Sequence, residues 1–185
     1  MGKAKILNHF QICLLNEIQN LIENVWDMEN CFIITDENNA LSGQFNGSID
    51  ISIFGKDEEH KDNMVAIEIE NISGFDQAKR NIDKIAQWVR RGKYRNCSLL
   101  HIFNESGIGQ NEDSISMLIE HGKNLESEDK QSKFFYDFYF FDLKNPENEI
   151  EEYKIAKKCA TDICESYDFK IRLWQLLIQA GLVVN

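Results

Sequence analysis

The sequence predicts an α/β fold in which a mixed sheet is flanked by helices. Two observations support this: two short segments alternate apolar and polar residues as strands do, and amphipathic helical segments precede and follow them. The predicted order is α-β-β-β-α-β, followed by α-β-α. The chain has 185 residues and no Pro/Gly/Ser-rich linker. We therefore expect one domain over residues 1–185, with a core at about 4–104 and a C-terminal extension at about 105–185.

The first elements are a helix and three strands. Apolar residues recur at helical spacing over residues 4–26, which predicts an amphipathic helix. The apolar run at 31–35 predicts a strand. Residues 47–54 and 64–70 alternate cleanly, and because only the loop 55–63 separates them, we expect an antiparallel hairpin.

The rest of the chain predicts a helix, a strand and then the C-terminal α-β-α extension. Apolar residues form one stripe of an amphipathic helix after the hairpin, and an aromatic run favours a late strand that is core rather than a base-stacking surface. The long C-terminal helix is expected to break near Tyr167 to Phe169. In order, the predicted elements are a helix at 76–91, a strand at 98–104, a helix at 112–124, a strand at 134–143 and helix over 150–180.

Composition limits the class of protein. The five cysteines contain no CxxC pair and make a poor disulfide framework, and the N-terminal segment lacks the pattern of a signal peptide. No apolar run is long enough for a membrane span. We expect a cytoplasmic protein without membrane association. No Walker or GxGxxG motif occurs, so no nucleotide cofactor is expected.

Charge is distributed unevenly along the chain. The net charge of −11 argues against a protein that coats nucleic acid. From Lys79 to Arg95, however, there are seven basic residues and one acid. A basic segment in an acidic chain calls for a functional hypothesis.

The hairpin carries a cluster of acids on one face. If Phe54 pairs with Met64, Asp50 lies opposite Glu68, with Cβ atoms roughly 5 Å apart. Glu70 follows on the same face at roughly 7 Å. Like charges this close favour a bound divalent cation, and oxygen ligands favour Mg²⁺. The alternative is a half-exposed hairpin whose polar face simply meets solvent.

The helix after the hairpin has a basic face. Gln77, Arg80, Lys84 and Arg91 fall along one polar stripe, and Lys93 follows it. Lys and Arg beside a carboxylate cluster fit a site that contacts nucleic-acid phosphates. The alternative is a solvated helix face that pairs with the protein's own acids.

These segments resemble the PD-(D/E)xK nuclease superfamily, the restriction endonuclease-like fold. Its signature is an acid on one strand and (D/E)-x-K on the next, within an αβββαβ core, which matches residues 4–104. Asp50 matches the first acid and Glu68 the second. Glu70 stands where the family usually has Lys.

The resemblance implies which other residues complete the site. Some members supply the catalytic Lys from the following helix, where Lys79 and Lys84 are the candidates. A further metal-binding acid often comes from the first helix, where Glu17 or Glu23 could serve. Gln77 resembles the polar residue found early in the second helix.

The resemblance also implies an activity. The expected protein is a Mg- or Mn-dependent endonuclease that hydrolyses DNA, in restriction, defence or mobile-element processing. Asp50 and Glu68 would bind the metal, and Lys84 or Glu70 would order the attacking water. Many members dimerise, so a homodimer is left open.

Two other functions remain open from the sequence. The first is an inactive member that binds a protein partner or nucleic acid, supported by the missing Lys and the net charge. The second is an acidic protein that mimics nucleic acid. Two histidines are interpreted as non-catalytic: His101 as a structural residue in an apolar strand, and His60 as a solvated loop residue.

Overall fold

The computed structural model describes residues 2–29, 31–35, 49–70, 75–105, 112–128, 132–144, 146 and 148–183. Residues 47–48 of the predicted second strand lie outside the described residues, and its predicted residues 49–50 precede β2, which begins at Ile51. The elements are α1 (Gly2–Asn20, extended by a π-helical turn at Leu21–Val25), β1 (Cys31–Thr35), β2 (Ile51–Gly55), β3 (Asn63–Glu70), α2 (Phe75–Arg90), β4 (Asn96–Asn104), α3 (Glu112–Leu125), β5 (Ser127–Glu128), β6 (Lys133–Phe141), α4 (Glu149–Glu165) and α5 (Tyr167–Gln179).

The strands form one six-stranded mixed sheet in the order β1-β2-β3-β4-β6-β5. The β1–β2, β2–β3 and β5–β6 pairs are antiparallel, whereas β3–β4 and β4–β6 are parallel. The predicted α/β class, the mixed sheet and the αβββαβ order are confirmed. The C-terminal part of the chain adds β6 and β5 to the same sheet.

Helices cover both faces of the sheet. On the face that we call the α1 face, α1, α4 and α5 pack on apolar strand residues such as Ile53, Val65 and Ile67. On the α2 face, α2 and α3 contribute to a second apolar layer that includes Met64 and Ala66 of the same strand β3. The alternation of side chains along β3 therefore divides the core into two layers.

Local residues set the ends of the helices near the site. Gly92 has a φ of 71° directly after α2, a conformation that favours glycine and ends the helix. Ser166 is extended and separates α4 from α5, one residue before the predicted break. Among the described residues, no helix combines the length and apolar character needed to cross a membrane.

Candidate active site

The hairpin register places Asp50 at the end of β3. Phe54 pairs with Met64 and Ile51 with Ile67, so the predicted antiparallel register is confirmed. Asp50 precedes β2, and its Oδ2 accepts a hydrogen bond of 2.8 Å from the backbone N–H of Ile69. The Asp50 carboxylate is thereby fixed against the strand that carries Glu68 and Glu70.

Glu68 is paired with a lysine from helix α2. The Lys84 Nζ donates to Glu68 Oε1 at 2.8 Å, and the two side chains are only 14% and 5% exposed. Lys84 also donates to Asn81 Oδ1 at 3.3 Å, and Asn81 Nδ2 donates to Glu70 Oε1 at 2.8 Å. One helix therefore links both acids of β3 through a continuous set of hydrogen bonds.

The electrostatics of these acids follow from their burial. Burial raises the pKa of Glu68 to about 8; Lys84 opposes this rise, whereas the negative charges of Asp50 and Glu70 add to it. Burial likewise raises the pKa of Glu70 to about 7, against the hydrogen bond from Asn81. Carboxylates gathered in a poorly solvated site favour either a proton or a cation.

These groups border a pocket of about 680 Å³ at the end of β3, beneath one side of α2. Polar and charged side chains dominate its wall, as expected for a site that binds a charged ligand rather than an apolar one. The pocket is lined by Asp50, Glu68, Ile69, Glu70, Gln77, Arg80, Asn81, Asp83, Lys84 and Gln87. Six predicted site residues are thus brought together.

Glu17 is not among the side chains that line this pocket. Its Oε1 accepts a hydrogen bond of 2.9 Å from the Thr161 hydroxyl of α4. Because α1 and α4 pack on the α1 face, Glu17 lies across the sheet from the pocket. The first helix contributes Gln11 instead, whose Nε2 donates to the Asp50 backbone carbonyl at 2.9 Å.

The predicted polar and basic residues of α2 and the segment after it separate into two groups. Gln77 and Arg80 are exposed at the pocket, where Arg80 donates to Gln77 Oε1 at 2.7 Å. Lys79 and Arg91 do not line the pocket. The Lys93 ammonium lies 3.9 Å from the centroid of the Trp88 ring, and burial lowers the pKa of Lys93. The nucleic-acid contacts of all four residues, Gln77, Arg80, Arg91 and Lys93, stay predictions.

Sequence reasoning missed Asn81, which joins Lys84 to Glu70. A signal was present, because Asn81 follows Gln77 by four residues and precedes Lys84 by three, so all three share one side of a helix. Its amide both accepts and donates, which suits a position between a cation and a carboxylate.

The two histidines differ in their surroundings. His101 is fully buried beside Glu68 in the sheet register, burial lowers its pKa to about 3, and its Nδ1 lies 3.2 Å from the Tyr136 hydroxyl. A neutral, buried ring fits the predicted structural role. His60 is less exposed than predicted, because its Nδ1 contacts Asp57 at 2.6 Å.

The carboxylates at the pocket are partly suited to bind a hard divalent cation. Within the described ranges, no group of three or more His, Cys, Asp or Glu side chains is arranged to hold a metal ion. Mg²⁺ commonly uses only one or two carboxylates and completes its shell with water and phosphate oxygens. Asp50 and Glu68 supply carboxylate oxygens of this kind at one pocket.

Comparisons with known proteins identify no family. No family model matches the sequence, and no curated protein matches it. Among solved structures, the chain is similar to Pyrococcus furiosus SfsA in complex with Ca²⁺, with 13% identity and a TM-score of 0.39. The match covers 68% of this chain and 55% of that chain. A similarity of this size assigns neither a family nor a function.

Proposed function

We propose that this protein is a Mg²⁺-dependent endonuclease that hydrolyses phosphodiester bonds in DNA. Asp50 and Glu68 are its metal ligands. Lys84 takes the role of the superfamily's usual lysine, whose position on β3 is occupied by Glu70. The observation that carries the proposal is the 2.8 Å contact between Lys84 Nζ and Glu68 Oε1 in a pocket that Asp50 also lines.

Lys84 meets the chemical need for a cation beside the second acid. Its ammonium comes from α2 rather than from β3, yet it reaches the same carboxylate. An ammonium held in a poorly solvated pocket stabilises negative charge that develops on a phosphate, and it orients a water by hydrogen bonding. Lys79, the other candidate on this helix, does not line the pocket.

A bound Mg²⁺ would neutralise phosphate charge and lower the pKa of a coordinated water. Asp50 is oriented for this role by its hydrogen bond from Ile69, and Glu68 by the packing of β3 beneath α2. Glu70, held by Asn81, lies at the pocket wall and would order water or a second cation.

The outer part of the pocket suits a polyanion. Arg80 and Gln77 are exposed there, and a guanidinium carries five N–H donors, of which the contact with Gln77 uses one side. Arg91 is the residue directly after this helix and lies beyond the pocket wall. Phosphate contacts from this side would position DNA over the acids in spite of the net charge of −11. A role in restriction, defence or mobile-element processing fits this activity.

The second candidate is a non-catalytic module of the same fold that binds a protein partner or nucleic acid. One specific observation favours it: Lys84 already satisfies Glu68 through a buried ion pair. A pair of this kind can hold the fold without any metal. Calorimetry separates the candidates, because the module predicts no Mg²⁺ or Mn²⁺ binding, and the enzyme predicts binding that requires Asp50.

The test of the enzyme is cleavage of supercoiled plasmid and of single-stranded DNA with Mg²⁺ or Mn²⁺. We expect nicking by the wild type and loss of nicking in Asp50→Asn, which keeps an oxygen acceptor for the Ile69 N–H. The control is Asp76→Asn, a change of an exposed acid in the first turn of α2. If the wild type leaves every substrate intact with both metals, the enzyme proposal is wrong.

A further inference from the structure

A second pocket lies on the α1 face, away from the acids of β3. Its volume is about 520 Å³, and it is lined by Trp26, Asp27, Met28, Glu29, His60, Trp174, Leu182 and Val183. His60 belongs to the loop that precedes β3, whereas Glu68 and Glu70 lie at the other end of that strand. The two pockets are therefore separate sites.

Two tryptophans form the aromatic part of this pocket. The ring centroids of Trp26 and Trp174 are 5.0 Å apart and their planes meet at 66°. Both side chains remain partly exposed. Tryptophan has the strongest attraction for a cation among aromatic side chains, and rings set at an angle can contact one cation from two sides.

The third tryptophan, Trp88, contacts cations of the protein itself. The Lys93 ammonium lies 3.9 Å from the Trp88 centroid, and the Lys84 ammonium lies 5.8 Å from it. Within the part of the chain that the structure describes, no Lys or Arg lies over Trp26 or Trp174. Trp88 has an internal cation, whereas the other two tryptophans line a pocket.

The charge at the pocket also favours a cation. Asp27 and Glu29 are exposed carboxylates on its wall, and none of the described lining residues is Lys or Arg. His60 is the basic group at this pocket, and its Nδ1 already contacts Asp57 at 2.6 Å. Asp27 has a φ of 53°, in the left-handed region that Asp and Asn tolerate best among residues other than Gly.

We infer that this pocket binds an organic cation of the alkylammonium or guanidinium class. The cation would contact the faces of Trp26 and Trp174, and Asp27 and Glu29 would neutralise its charge. An anion such as phosphate is disfavoured here by the same two acids. This site is independent of the proposed nuclease activity, so either can fail without the other.

Choline and its neutral isostere 3,3-dimethyl-1-butanol test the inference. The indole N–H signals of the three tryptophans are followed by ¹H–¹⁵N NMR at constant ionic strength, and are assigned with single Trp→Phe variants. Choline is expected to shift the signals of Trp26 and Trp174, with a dissociation constant on the order of millimolar. Trp88 serves as the internal reference and should not move.

A double variant tests the role of the acids. Asp27→Asn keeps a residue that tolerates the left-handed backbone, and Glu29→Gln keeps the side-chain shape. Together they should weaken choline binding by about fivefold at low salt. The matched control, Asp113→Asn with Glu120→Gln, removes two exposed charges from α3 and should leave binding unchanged.

A second pair of ligands identifies the class of cation. N-acetyl-arginine amide and its neutral isostere N-acetyl-citrulline amide test whether the pocket binds a guanidinium. Binding of either cation in preference to its isostere supports the inference and names the class. Equal shifts with the charged and neutral members of both pairs, or no shift with any of the four, would overturn it.

Discussion

The two faces of strand β3 begin alike and end differently. On the α1 face, Val65 and Ile67 are completely buried in an apolar layer. On the α2 face, Met64 is buried in the same way, but the strand ends with Glu68 and Glu70. Burying charge lowers stability unless it is paired, whereas burying an aliphatic side chain contributes roughly 1.5–3 kcal/mol. The α1 face therefore stabilises the fold, and the end of the α2 face serves the candidate site.

The largest expected effect is on activity, when the second acid is neutralised. Glu68→Gln should lower the DNA cleavage rate by about 10³-fold or more, because a metal ligand is lost. Thermal stability should fall as well, because the change removes the carboxylate from the buried ion pair with Lys84. Plasmid cleavage and thermal unfolding of the same samples measure both effects. Cleavage by Glu68→Gln at the wild-type rate would contradict the role of Glu68 as a metal ligand.

The next effect is on stability and comes from the opposite face. Ile53, which pairs with Val65, is completely buried in the α1 layer. Ile53→Ala should lower the free energy of unfolding by about 2–5 kcal/mol, because it leaves a cavity in a packed core. Denaturant unfolding measures the loss. The fraction of the protein that remains folded should cleave DNA at the wild-type rate. A lower rate in this folded fraction would contradict the assignment of the α1 face to stability alone.

The third effect separates two lysines on one helix. Lys84→Met should lower the cleavage rate by about 10²-fold, which is the usual loss when one charge-stabilising donor is removed. Lys79→Met, the matched control, should keep the rate, because Lys79 does not line the pocket. Both variants keep an apolar stem of similar length. If the two variants lose the same activity, the positive charge of α2 contributes nonspecifically, and Lys84 has no specific role in cleavage.

The smallest effect is on the pH dependence of stability. In the folded protein the pKa of Glu70 is raised from 4.5 to about 7, so between these values the folded state binds more protons than the unfolded state. The stabilisation from the protonated acid is complete below pH 4.5 and is lost as pH rises through 7. Unfolding in the presence of a chelator should show this decline, and Glu70→Gln should flatten it relative to the wild type. An identical pH profile for both proteins would contradict the burial of Glu70.

The hairpin was the part of the site that the sequence could predict. Alternation predicts which residues of 51–54 and 64–70 share a face, and the short loop between them predicts an antiparallel pairing. Before β2 the pattern fails, because Ile49 packs on the α2 face whereas Ile51 and Ile53 pack on the α1 face. The pairing of Phe54 with Met64 is confirmed. The hydrogen bond from the Ile69 N–H to Asp50 Oδ2 was not predicted. The two-residue strand β5 was missed, because it is too short to show a pattern.

Contacts between elements far apart in the chain could not be predicted from the sequence. Lys79 and Lys84 both belong to the polar side of α2, and only the packing of that helix on the sheet brings Lys84 to Glu68. Glu17 was expected at the metal, but α1 docks on α4 and turns Glu17 towards Thr161. Lys93 folds back over Trp88 after the turn at Gly92.

A crystal soaked in Mn²⁺ would show whether a cation binds beside Asp50. We expect an anomalous peak between the carboxylates of Asp50 and Glu68, with the Lys84 ammonium beside it and Lys79 away from it. A map without a peak at that position, in which Glu68 remains bound to Lys84 alone, would show that the proposed metal site is wrong.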